Sequence, residues 1–168
     1  MSAQNLLPGQ TIIVTGAATG IGQAFALGAA IQGAHVIVAD MNSADETMDQ
    51  IAQAGGKATS VRVDVSDDAS VRSMAEAALK ATGRIDGLIN NAAYFREIRL
   101  TAFEDLDPEQ WERIFQVNVK GVWLCSKAVM PAMRERQSGS IINIASVVAV
   151  AGQPGYLHYV ATKGAVLA

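Results

Sequence analysis

One cysteine, two histidines and four prolines are all that these 168 residues carry of those types, and aromatic residues make up only 5%. The lone Cys125 has no intramolecular partner, which excludes a small fold stapled by disulfides. So few histidines, set far apart, exclude a zinc-type ligand cluster, and no metal is expected. Positive charge is scarce too. Thirteen Lys and Arg against 16 Asp and Glu leave a net charge of -3, without the electropositive footprint that drives nucleic-acid binding, so nucleic acid is not an expected partner. Residues 1–10 lack the basic start and apolar core of a secretory signal. The most apolar later stretch is broken by Asn143, Ser146 and Gly152, so no membrane span is expected either. These absences predict a soluble, cytoplasmic protein.

What is present is apolar and rich in glycine. With 50% hydrophobic and 17% charged residues the composition is too apolar for disorder, and 15 glycines against four prolines fit neither collagen nor a linker. A chain of this size buries roughly 70% of its unfolded surface. Short β-branched runs alternate with helical stretches. Strands are predicted over 11–15, 35–40, 57–63, 87–90 and 140–145. Between them, helices are predicted over 21–32, from a Ser43 cap to about 54, from an Asp67 cap over 69–81, and from Pro108 through Trp123 to about 133; a last helix opens at Gly155 or Tyr156. No repeat or linker divides the sequence, which predicts one domain over 1–168. Apolar strands separated by helices imply an α/β class with a doubly wound parallel sheet of Rossmann type, helices covering both faces. In that architecture chemistry belongs to the residues just after each strand.

The segment after the first strand is Thr15-Gly16-Ala17-Ala18-Thr19-Gly20-Ile21-Gly22. Its glycines let backbone approach a pyrophosphate at a helix amino end, although the same glycines also suit a plain strand-to-helix turn. Asp40 closes the second strand about 20 residues on, where a carboxylate accepts from adenosine ribose hydroxyls or simply caps a helix. No Arg or Lys stands at Ala17, Ala18, Met41 or Asn42 to meet a 2'-phosphate, which favours NAD over NADP.

With these residues the chain resembles the short-chain dehydrogenase/reductase family. The Gly16, Gly20, Gly22 spacing is similar to that family's glycine fingerprint. Asp64-Val65 resembles its adenine-contacting segment, and Asn90-Asn91-Ala92-Ala93 resembles its Asn-Asn-Ala-Gly, with Ala93 in place of the last glycine. Asn118 matches the helix asparagine of the catalytic tetrad, Ser146 the serine, and Tyr159-Val160-Ala161-Thr162-Lys163 the Tyr-x-x-x-Lys. The resemblance implies catalytic Asn118, Ser146, Tyr159 and Lys163. It implies cofactor contacts from Gly16, Thr19, Gly20, Ile21, Gly22, Asp40, Asp64, Val65, Asn91 and Ala92, with Tyr159 and Lys163 joining them. It also implies NAD as cofactor, a secondary alcohol or its ketone as substrate, and a dimer or tetramer of identical chains. Family members continue with a further helix and two strands, so the sequence is expected to stop about one third short of that plan, without much of the substrate pocket. Such a form is expected to associate or aggregate, and a catalytically incompetent dinucleotide-binding fragment is the alternative reading.

Tyr159 and Lys163 are one helical turn apart and share a face. A tyrosine with an ordinary pKa of about 10 must be lowered by about 3 units, or roughly 4 kcal/mol, to act near neutrality. A cation at about 4 Å in an effective dielectric near 20 contributes on that order, so Lys163 is expected to lower Tyr159. Ser146 can hold the substrate oxygen against Tyr159. By resemblance, Lys163 also holds the nicotinamide ribose and Asn118 positions a water of a proton relay. Tyr156 lacks the spacing to Lys163 and is left to the pocket or to packing, His158 to solvent or packing, and Cys125 to inert core. Tyr94, Phe95, Val148 and Tyr156 suggest an apolar substrate pocket.

Overall fold

β-Branched residues at every central position let two strands bury both faces, and they form the middle of the sheet. In the computed structural model, which describes residues 5–168, β1 (Thr11–Thr15), β2 (His35–Asp40), β3 (Lys57–Arg62), β4 (Gly87–Asn90) and β5 (Ser140–Asn143) pair in parallel in the order β3-β2-β1-β4-β5. Alternation along the strands separates two cores. Ile13 and Ile37 face one side with Val71, Met74, Ile85 and Leu124, whereas Ile12, Val14, Val36 and Val38 face the other with Ala26, Ala30 and Ile51. The first core is closed by α3 (Asp68–Thr82) and α5 (Gly121–Glu135), the second by α1 (Gly20–Ile31) and α2 (Asp45–Gln53). The edge strands are not apolar on both faces as expected: β3 is half exposed, and β5 exposes Ser140, Ile142 and Asn143.

Local signals set most boundaries. The Asp67 carboxylate accepts the Ser70 N–H at the start of α3, and Gly83 ends it in the left-handed conformation, φ 73°. Pro108 opens α4 (Pro108–Phe115) at a position where its missing N–H has no cost, with Asp107 accepting from the Glu109 amide. Elsewhere the structure corrects the sequence reading. Ser43 does not cap α2, which starts at Asp45 behind Ala44. The helix predicted as continuous from 108 is broken by a π-helical turn at Gln116–Lys120, which holds Asn118, before α5 resumes. β5 stops at Asn143 rather than 145. A short α6 (Val148–Ala151) and a 3₁₀ turn (Phe103–Asp105) had no clear signal, and α7 (Leu157–Leu167) begins just after Tyr156.

At the amino ends of β1 and β4, buried Asp86 takes Nε and Nη2 of Arg84 at 2.7 and 2.5 Å and the Thr11 N–H at 2.8 Å, with Arg136 at 3.7 Å. Burial pushes its carboxyl up, but these hydrogen bonds and both guanidinium charges win and hold it below the ordinary value. A depressed folded-state value stabilises the fold above the unfolded carboxylate pKa, and that contribution disappears as pH falls through the folded one. Asp86→Ala should therefore cost about 2–4 kcal/mol in urea unfolding at pH 7, and the gap to wild type should shrink below about pH 4.

Candidate active site

Since β4 pairs with β1 rather than with β3, the segments leaving β1 and β4 diverge to opposite sides and open a crevice beyond their carboxyl ends. Side-chain hydrogen bonds lock the two segments together. The Thr15 hydroxyl donates to the Ile89 carbonyl and accepts the Asn91 and Ala92 N–H groups, each at 3.1 Å. Asn91 Nδ2 returns to the carbonyls of Thr15 and Gly16 at 3.0 and 3.1 Å. From α2, the buried Thr47 hydroxyl reaches the carbonyls of Ala17 and Ala18 at 2.9 and 3.0 Å and accepts Gln23 Nε2. Thr15 and Thr47 were not singled out from the sequence, because a threonine's partners across the fold leave no local pattern.

Gly16 has φ +66°, and a Cβ there would lie 2.8 Å from the Ala92 Cα. Gly20 also has positive φ, +64°, but a Cβ on it would meet nothing nearer than Arg96 Nη2 at 4.0 Å, so this glycine leaves an open cradle at the head of α1. The first N–H groups of that helix have no partners within it, which suits a pyrophosphate. A cleft of about 310 Å³ follows from there. Its walls are the glycine loop, Asp40 to Asn42 after β2, Val63 to Val65 after β3 and residues 91–97 after β4. All ten residues expected to contact the cofactor ahead of Tyr159 and Lys163 line this one cleft: Gly16, Thr19, Gly20, Ile21, Gly22, Asp40, Asp64, Val65, Asn91 and Ala92.

Asp40 does not cap α2; its Oδ2 accepts the Ala18 N–H and its Oδ1 the Asn42 N–H, both at 2.9 Å. Asp40 lines the cleft, and its Oδ2 keeps further acceptor capacity. Burial raises the Asp64 carboxyl, yet the hydroxyl and amide of Ser66, helped by Arg113 at 3.9 Å, hold it below the ordinary value. Asp64 is thus an anion already committed to its own loop.

The catalytic candidates form a second group beside the cleft rather than in its lining. Lys163, 5% exposed, donates from Nζ to the Ile144 carbonyl at 2.6 Å and lies 5.8 Å from the Tyr159 ring centroid. Burial raises the Tyr159 phenol, and the nearby Ser146 hydroxyl opposes it without reversing it; burial alone lowers Lys163. The expected lowering of Tyr159 by Lys163 does not appear in this arrangement: burial outweighs the other influences on the phenol, and the ammonium is directed at the Ile144 carbonyl. Asn118 is buried and fully employed: Oδ1 accepts the Tyr94 N–H at 2.7 Å, while Nδ2 donates to the Tyr94 carbonyl and to Thr162. Its side chain positions the segment after β4 against α7. Phe95, expected in an apolar substrate pocket with Tyr156, packs 4.7 Å from the Tyr159 ring and 6.1 Å from that of Tyr156. His158 is buried, not solvated, with burial lowering its pKa. Burial also pushes the Cys125 thiol up to about 12, so it is protonated and inert.

The short chain dehydrogenase family model matches residues 10–168. The 3-oxoacyl-[acyl-carrier-protein] reductase FabG of Thermotoga maritima is 35% identical over 165 residues, 96% of this chain and 65% of that protein. A cyclopentanol dehydrogenase of Comamonas testosteroni is 35% identical over 159 residues, 94% of this chain and 62% of its own length. A solved structure of NAD+-bound xylitol dehydrogenase superposes with a TM-score of 0.92 at 31% identity, over 96% of this chain and 62% of that one. The chain thus spans under two thirds of the length of these relatives. A family match over nearly all of its residues agrees with the stapled crevice and with the strand order: the chain belongs to the short-chain dehydrogenase/reductase family.

Proposed function

We propose that the protein is an NAD-dependent oxidoreductase that moves a hydride between nicotinamide and a secondary alcohol or its ketone. The observation that carries this reading is the adjacency of two groups: a glycine-cradled cleft ending at residues 91–97, and Ser146, Tyr159 and Lys163 joined to it through Phe95. The open cradle at Gly20, the unpaired helix N–H groups and the Asp40 carboxylate fit a dinucleotide. NAD, when bound, supplies the hydride acceptor or donor. Ser146 orients the substrate oxygen, Tyr159 gives or takes its proton, and Lys163, released from Ile144 toward the nicotinamide ribose, places its charge near the phenol. Phe95 and Tyr156, with ring centroids 6.1 Å apart, offer the substrate an apolar wall. A steady-state assay with NAD and a panel of secondary alcohols tests the reading; absence of turnover with retained NAD binding favours the alternative, a catalytically incompetent dinucleotide-binding protein.

The preference for NAD rests on Asp40, whose free lone pair suits a ribose hydroxyl and repels a 2'-phosphate. One charge-assisted hydrogen bond should give NAD an advantage of about tenfold to a hundredfold over NADP by calorimetry, and Asp40→Ala should narrow it. Arg62 is a cation that the sequence reading did not weigh, bound through Nε to the Met41 carbonyl at 3.3 Å, so Arg62→Ala should widen the gap. The reading includes association of identical chains, supported by Trp123, 59% exposed beside Phe115 and Val119. It places the protein in the cytoplasm, where an unpaired thiol stays reduced; no helix among the described residues is long and apolar enough to cross a membrane.

A further inference from the structure

The glycine loop Thr15 to Gly22 carries no charged side chain, yet the cleft has to hold a doubly charged pyrophosphate if the dinucleotide reading is right. Helix N–H groups alone amount to about half an elementary charge. A cation must come from elsewhere or the group goes without one. Arg113, in the cleft wall, is engaged by Asp64 and Ser66. Arg96 stands on the opposite wall, after β4, and forms no ion pair among the described residues. Its Nη2 donates to the Thr19 hydroxyl at 2.9 Å and lies 4.0 Å from where a Gly20 Cβ would be, which places a guanidinium over the open cradle.

We propose that Arg96 is a cofactor-binding residue that clamps the pyrophosphate from across the cleft, exchanging its neutral Thr19 partner for the phosphate oxygens. A planar guanidinium suits this exchange, since its fork matches two phosphate oxygens where a hydroxyl takes only one bond. The wall it springs from is fixed. Tyr94 is held at both its N–H and its carbonyl by Asn118, and Phe95 packs on Tyr159, so Arg96 pivots from a backbone anchored to the π-helical turn and to α7. Movement of the guanidinium alone closes the clamp. The proposal rests on the dinucleotide reading above and adds to it a cation that neither the glycine fingerprint nor Asp40 supplies.

Calorimetry with ADP-ribose and adenosine on wild type, Arg96→Ala and Arg96→Lys separates the two ideas. Arg96→Ala should weaken ADP-ribose by about tenfold to a hundredfold, leave adenosine within about twofold, and flatten the salt dependence of ADP-ribose binding. Arg96→Lys should recover part of the loss, because it restores the charge without the fork. Equal loss for both ligands would make Arg96 a structural support, and unchanged or tighter ADP-ribose binding would make it only a latch on Thr19; either overturns the clamp while the dinucleotide reading stands. Wild type that binds neither ligand removes the dinucleotide reading, and the clamp with it. Thermal melts of the three proteins should coincide within about 2 °C, as expected for an exposed side chain.

Discussion

Tyr159→Phe should lower turnover by about 10² to 10⁴ and leave NAD affinity within about twofold. The ring fills the same space against Phe95, so packing is kept and only the hydroxyl is lost. With the hydroxyl goes the proposed proton path to the substrate oxygen. Because burial raises the phenol above its ordinary value in the ligand-free protein, Tyr159 is protonated at neutral pH. That is the form needed to donate to a ketone oxygen and the wrong form to accept from an alcohol. Oxidation should accordingly rise with pH until the phenol ionises in the ternary complex, while reduction falls over the same interval, and Tyr159→Phe should erase both trends. Lys163→Ala should differ by harming NAD affinity as well as turnover, since its charge is proposed to serve ribose and phenol together. A Phe variant retaining more than about a tenth of the wild-type rate would remove Tyr159 from the proton path.

The central sheet and the residues that line the cleft were legible in the sequence for a physical reason: each depends on short-range pattern. Runs such as Thr-Ile-Ile-Val-Thr carry strand and burial in five residues, and β1 occupies Thr11–Thr15 as predicted. Glycine, too, declares itself, because few other residues accept φ +66° at Gly16 or the close approach of Ala92. The π-helical turn at Gln116–Lys120 was not legible, since the residues around Asn118 suit an ordinary helix and the bulge follows from ties to Tyr94 and Thr162 far along the chain. The Tyr159–Lys163 spacing correctly put both on one face of α7, but spacing carries no information about Ile144, whose carbonyl takes the ammonium. Arg96 escaped notice for the same reason: a lone arginine in a loop has meaning only once the opposite wall is in place.

Gly22→Ala should be the most damaging of the small substitutions in α1, against the sign that local propensity gives. In a helix interior Ala is better than Gly by about 1 kcal/mol, and Gly22 has ordinary helical backbone, so nothing in its own dihedrals forbids a side chain. The obstacle is tertiary. A Cβ would overlap the Gly16 carbonyl oxygen and Asn91 Nδ2, the two groups that staple the β1 and β4 segments together. Neither is the free end of a flexible chain: one is backbone and the other is held at 3.0 Å by the Thr15 carbonyl. Overpacking of this kind costs typically about 1–3 kcal/mol, and here it also displaces the start of α1 from the open cradle at Gly20, where the pyrophosphate is proposed to sit. Urea unfolding should show a loss in that range, and NAD affinity should fall by more than about tenfold, as expected when a hydrogen-bonded anion site is distorted. Gly28→Ala in the same helix is the control, because a Cβ there meets nothing within 4 Å on an exposed face, and it should stabilise by about 0.4–1 kcal/mol with NAD binding unchanged. Opposite signs for one substitution at two places in one helix would locate the cost of Gly22→Ala in the crevice; a shared sign would locate it in the helix.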